Sequence, residues 1–351
     1  MDDDPGDRPS DEMRGRVPGS RAKLWVLIRA DRWAVTGVLL AGIFGVLVVF
    51  GRLDPAPLRG AVAASDPIET LFQGLLTAIV TAVTLVVTIN QLVLSQELGS
   101  LGDQRDRMRG AMSFREDTEG VVDEPVSPAE PSAFLLALID AARSRAERLA
   151  DAVARCGDAQ LRRQIEEFAD GVVDNAESVG DQLERAEFGT FEVVLAALNF
   201  NYSWKIYRAR RFRIERGDAL SADADEALAE LVTVLELFAP AREHVKTLYF
   251  QWELINLSRA MLYAAVPALV VAVSTILYLD DVGTVTGITL GVDNLVWVVS
   301  AAVAVVLVPF LVLLSYVLRI ATVAKRTLAI GPLVLRSTDG TDGTDGTDRV
   351  Q

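Results

Sequence analysis

Four stretches of this chain, residues 33–50, 71–94, 260–279 and 295–318, contain no Asp, Glu, Lys or Arg. Each approaches or passes the roughly 20 apolar residues with which a helix crosses a bilayer. Soluble core helices seldom run so far without a charge. The expected fold class is therefore all-α: a four-span integral membrane protein with a helical cytoplasmic domain between spans two and three. Ala61-Val62-Ala63 after the first stretch has the small residues of a signal-peptide cleavage site. The apolar run is longer than a signal h-region and some 30 residues precede it, so a retained span is the better reading.

Lys and Arg flanking the stretches set orientation. Arg14, Arg16, Arg21, Lys23, Arg29 and Arg32 precede span one, and Arg105, Arg107, Arg109 and Arg115 follow span two. Arg242, Lys246 and Arg259 precede span three, and Arg319, Lys325 and Arg326 follow span four. The loop between spans one and two has only Arg52 and Arg59, and the loop between spans three and four has no basic residue. The expectation is a multi-pass protein of the plasma membrane with both termini in the cytoplasm.

Five segments follow. Residues 1–24 read as a disordered arm, and 25–98 as an interfacial helix (25–32) with spans one and two. Residues 99–257 form the helical cytoplasmic domain, 258–322 hold spans three and four, and 323–351 are a tail, disordered from about 337. Within the domain, 116–131 reads as an acidic, proline-containing loop. Ser132 is placed to cap a helix running to about Cys156. Further helices are expected at about 159–187 and 191–215, and from Ser221 or Asp223 onward, the last pausing near Pro240 and continuing into span three. No alternating strand pattern is present. The Thr-Asp-Gly repeat from Thr338 lacks the ligand spacing and closing Glu of a calcium loop.

The net charge of −14, with only four lysines among 34 basic residues, suits a cell whose internal salt screens carboxylate repulsion. A halophilic archaeon is the expected source, although a high-GC genome would give a similar composition. One cysteine, Cys156, and one histidine, His244, exclude an internal disulfide, the usual zinc ligand sets and His-based catalysis within one chain. Phosphate-loop, dinucleotide, metalloprotease and serine-hydrolase motifs are missing, and no ionisable residue within a span offers a proton relay. The reading is of a non-enzyme with no catalytic residue, metal or cofactor, and with no nucleic acid among its partners.

Span two carries the most informative pattern. Positions 70, 74, 77, 81, 84, 88, 91 and 95 alternate steps of four and three, and each is Thr, Gln, Ser or, at Gly74, glycine. A 3.5-residue period draws one straight stripe down a gently supercoiled helix. Thr70, Gln73, Thr77, Thr81, Thr84, Thr88, Gln91 and Ser95 are the candidate pore-lining residues. Polar groups that deep in lipid must face protein or water. Either copies of span two surround a water-filled axis, or the hydroxyls bond to carbonyls one turn back and help helices pack. Asp66 and Glu69 would ring the outer mouth and concentrate cations in an oligomer. At the inner end Glu97, Asp103, Arg105, Asp106, Arg107 and Arg109 make a mixed vestibule. Span one carries a small-residue face at Gly37, Ala41 and Gly45, and Pro267 and Pro309 lie within spans three and four.

Residues 191–216 interleave aromatics with Lys205, Arg208, Arg210, Arg211, Arg213 and Arg216. Lys205, Arg208 and Arg211 are candidates for contact with lipid or a phosphate-bearing ligand. A bundle helix with an aromatic core side and a basic side paired to acids is the favoured alternative.

The layout resembles the bestrophin channels: four spans, both termini inside, a helical domain between spans two and three, and span two on the axis. The resemblance covers roughly 25–335 and is one of arrangement. It implies a homo-oligomer, a pentamer around one pore. That family has bulky hydrophobic residues at the neck of span two, where this chain has Thr77, Thr81 and Thr84. The expected function is a homo-oligomeric ion channel with a slight cation preference, its partners being membrane lipids, inorganic ions and further copies of itself. The alternative is a non-conducting membrane scaffold or sensor whose cytoplasmic bundle recruits partners.

Overall fold

A computed structural model describes residues 30–53, 58, 60, 62, 67–122, 124–154, 156–187, 189–279, 283 and 285–327. The arm, most of the interfacial helix, Asp66 and the tail from 337 lie outside these residues. Among the described residues the chain is almost wholly helical. Four helices are long and apolar enough to cross a membrane, judged by length and composition. Contacts divide the chain into two compact units, an apolar one built mainly from 30–114 and 244–325 and a polar one built mainly from 115–243.

The apolar unit contains α1 (Arg32–Leu53), α2 (Pro67–Glu97), most of α3 (Leu101–Glu119), the later part of α8 (Ala222–Tyr278) and α9 (Asn294–Thr327). Ile68, Phe72 and Ile79 of α2 join Ala265, Ala268 and Ala272 of α8 and Leu295, Val299, Val303 and Val306 of α9 in one core. A second core continues it through Ala82, Val86, Leu257, Met261, Val312 and Tyr316. Small residues on α8 let the larger side chains of α2 and α9 interdigitate there. α1 comes close to α9 at Gly51, where an added Cβ would lie 2.4 Å from Cγ1 of Val296. Phe44 and Trp297 add a ring contact at 5.8 Å. By contrast, a Cβ at Gly37 or Gly45 would meet nothing within 4 Å, so the small face seen in the sequence is uncovered in the single chain.

Before α9 a two-residue hairpin pairs β1 (Ile288–Thr289) with β2 (Val292–Asp293) in antiparallel register, a feature the periodicity did not announce. Leu290 and Gly291 both have positive φ, 53° and 76°. That pairing of signs is the one whose twist suits a tight hairpin. Asp293 then caps α9 through the Leu295 amide at 2.9 Å.

The polar unit packs α4 (Pro131–Val153) along α5 (Ala159–Glu184), followed by α6 (Phe191–Leu198), α7 (Tyr202–Arg216) and the start of α8. Leu135, Leu138, Ile139, Leu149, Leu161, Ile165, Leu228 and Leu231 are almost fully buried. Phe238 takes Phe200 and Tyr202 edge-on at 5.0 and 6.1 Å.

Several boundaries differ from expectation. The cap of α4 is Glu130, which accepts from the Ala133 amide at 2.7 Å, and not Ser132, whose hydroxyl donates to Glu130. Pro131 at the first helical position fixes φ and pushes the cap back one residue from Ser132. The helix expected over 191–215 is two, because the chain turns between Leu198 and Tyr202, where Asn199 donates to Gln182 at 2.8 Å. The acidic loop begins only after Glu119, and α8 passes Pro240 without pausing. Buried Phe238 and Ala241 hold the helix on either side of that proline.

Candidate pore-lining face

On α2 the residues that pack inward, Ile68, Phe72, Ile79, Ala82 and Val86, are buried. Thr70, Gln73, Thr77, Thr81, Thr84, Thr88, Gln91 and Ser95 are all exposed in the single chain. The helix therefore has two faces with different chemistry: one an apolar packing surface, the other a polar strip that its own chain leaves uncovered.

The hydroxyls on this strip have a shared geometry. Thr77 donates to the Gln73 carbonyl at 3.0 Å, and Thr81 to Thr77, Thr84 to Val80 and Thr88 to Thr84, each at 2.9 Å. Ser95 donates to Leu92 at 2.7 Å. With its proton directed along the helix, each hydroxyl turns lone pairs outward, so the strip presents oxygen acceptors. Such a surface suits water or a cation better than an anion. Near the N-terminal end of α2, Gln73 donates its amide to Glu69 at 2.8 Å, which anchors Glu69 beside the strip. At the other end, the α3 charges Asp103, Arg105, Asp106, Arg107 and Arg109 are exposed, and Arg109 pairs with Asp106 at 3.4 Å.

The basic-aromatic segment resolves differently. Lys205 is buried, donates to Asn175 at 2.7 Å and lies 4.9 Å from the Phe200 ring centre, so burial removes it from the surface cluster expected with Arg208 and Arg211. Arg208 rests over Trp204 and Phe212, at 5.9 and 5.1 Å, and burial lowers its pKa. Arg211 is held by Glu215 at 2.9 Å, Arg213 by Asp225 at 2.7 Å and Arg210 by Glu236 at 2.5 Å. The basic side is thus largely matched by the protein's own acids. Elsewhere in this unit, Ser127 donates its backbone amide and its hydroxyl to Glu119, holding that carboxyl below the usual range.

One polar group of the apolar unit was not foreseen. Glu253 accepts from Arg319 at 3.1 Å and from the Tyr249 hydroxyl at 2.5 Å, with all three largely buried. Arg32, 6% exposed, has Glu253, Arg319, Tyr249 and Tyr316 as its electrostatic neighbours. In the sequence Arg32 and Arg319 read only as span-flanking charges, and Glu253 carries no signal of its own.

Residues 1–348 match the model of a family described as a family of unknown function, DUF7972. No curated protein and no solved structure matches the chain.

Proposed function

We propose that this chain, which belongs to the DUF7972 family of unknown function, is a multi-pass membrane protein that assembles as a homo-oligomeric ion channel. Four or more copies of α2 surround a central axis, and the exposed strip from Thr70 to Ser95 lines a water-filled conduit. The polar unit lies in the cytoplasm, on the side to which the flanking basic residues assign both termini. The membrane is the plasma membrane.

The observation that carries this reading is the outward orientation of the strip, opposite the face that packs against α8 and α9. Back-bonded threonine hydroxyls alone cost little against lipid. Two primary amides weigh more: an amide moved into hydrocarbon without partners costs about 2–7 kcal/mol. Gln73 has Glu69 beside it, itself a carboxylate that needs water or a cation. Gln91 is exposed on the same strip about five turns away. A water-filled axis satisfies all of them at once, and the outward oxygen acceptors with Glu69 give a slight preference for cations.

Purified protein in planar bilayers, compared with Thr84→Leu, tests this reading. Discrete conductance in the parent chain, strongly reduced in the variant, is expected. If neither protein conducts at high or low salt, the strip is a packing face and the scaffold or sensor reading takes its place.

A further inference from the structure

The hairpin before α9 has no role in the conduit, yet its tip carries bulky apolar side chains turned outward. Ile288 and Leu290 are 75% and 81% exposed, whereas Val292 is 4% exposed. Leu290 takes the first turn position with φ at 53°, and Gly291 follows at 76°. A turn with two positive φ values ordinarily takes Asn, Asp or Gly first, because a Cβ crowds the backbone in that conformation. Leucine is therefore strained here, and its own chain leaves it almost uncovered. Such outliers cluster where a chain meets a ligand or partner.

The surroundings identify the partner. The hairpin joins α8 to α9, both long and apolar enough to cross a membrane. A Cβ added at Gly291 would lie 3.9 Å from Nη2 of Arg52, so the turn stands where α1 finishes and α9 starts. Aromatic side chains flank it on both helices. Tyr278, the last residue of α8, is 74% exposed, and the Trp297 indole in the first turn of α9 donates to the Thr289 carbonyl at 3.2 Å. Tyr and Trp at the ends of apolar helices mark headgroup depth. Residues 279–294 hold no Lys or Arg but include Asp280, Asp281 and Asp293, so an anionic surface would repel this loop. Two side chains also fall far short of the roughly 800 Å² per side that a stable protein interface buries.

We infer that the Ile288–Leu290 tip is an apolar anchor that dips into the acyl-chain boundary of a neutral lipid surface, at the end of the spans away from the flanking basic residues. Burial of the two side chains in lipid offsets the strain of the turn. Through the bond from Trp297 to Thr289 the anchor also fixes the depth at which α9 begins. The inference requires α8 and α9 to cross a membrane; it does not require a pore.

The test is Leu290→Cys in a Cys156→Ala background, labelled with a small environment-sensitive fluorophore in the full chain and reconstituted in phosphatidylcholine vesicles. Emission should be blue-shifted, and phosphatidylcholine spin-labelled near its glycerol should quench it more than aqueous iodide does. Val270→Cys, at a position 61% exposed midway along the uncharged stretch of α8, gives the membrane reference and should be quenched by a spin label deep in the acyl chains. Leu290→Asn, read through a label on Ile288→Cys, separates anchoring from turn structure. Asn suits the turn, so the unfolding midpoint in detergent should be no lower than without it, while quenching by lipid should be lost. Lipid quenching at 270 with free iodide access at 290 overturns the anchor. So does undiminished lipid quenching in the Leu290→Asn protein, or efficient cross-linking between copies through the Leu290→Cys thiol.

Discussion

The hydroxyl of Thr81 donates to the backbone carbonyl of Thr77 at 2.9 Å, one turn back on the same exposed strip. The donor is therefore satisfied within the helix while the oxygen still faces outward. A valine of the same shape keeps the packing and removes only that oxygen. Thr81→Val should leave the unfolding midpoint nearly unchanged, within about 1 kcal/mol of stability, yet lower single-channel conductance. Thermal unfolding and bilayer recording on one preparation check both halves.

Glu253 pairs with Arg319 at 3.1 Å and accepts from Tyr249 with the same oxygen. Glu253→Gln removes the charged partner from the buried pair with Arg319. Loss of one partner from a buried charge group costs on the order of 3–5 kcal/mol. The variant should unfold at clearly lower temperature, whereas Glu147→Gln, at an exposed pair with Arg143, should be neutral.

How much of this was legible in the sequence differs by element. The four long apolar helices were readable because missing charges are a one-dimensional signal. So was the grouping of the polar residues of α2 on one face, since a 3.5-residue period fixes a face before any neighbour is known. The Arg319–Glu253 pair beside Arg32 was not, because these residues lie more than 60 positions apart and the two arginines separately look like topology-setting charges. Lys205 misled for a related reason. Basic residues on a helix suggest a surface, and only tertiary packing reveals that this one reaches inward to Asn175. The break at Asn199 and the uninterrupted α8 at Pro240 are likewise decided by burial around them rather than by local propensity.

A Cβ added at Gly51 would lie 2.4 Å from a branch methyl of Val296, and the β-branched side chain has little room to turn away. Gly51→Ala should destabilise the apolar unit by about 1–3 kcal/mol. Gly45→Ala, with nothing within 4 Å, should not. Thermal unfolding of the two variants in the same detergent makes the comparison. A loss at Gly45 as large as at Gly51 would mean that another copy covers that face.

Asp158 caps α5 by accepting from the Leu161 and Gln160 amides, at 3.1 and 2.9 Å, and these bonds hold its pKa below the ordinary value. A carboxyl depressed on folding stabilises fully above its unfolded pKa and loses that contribution as pH falls through the folded one. Glu119, depressed by Ser127, acts in the same direction. Unfolding followed by circular dichroism should therefore show stability falling below about pH 4. Asp158→Asn should flatten that acid limb without adding a loss at higher pH beyond its weaker cap.

The central claim is that water touches the strip of α2. Single cysteines at 77, 81, 84 and 88, in a Cys156→Ala background, should be modified by a small charged thiol reagent in intact vesicles, and cysteines at 79, 82 and 86 should resist it. Modification at 84 should also block ion flux. Inert cysteines along the whole strip, in a protein that folds and inserts, would contradict the account.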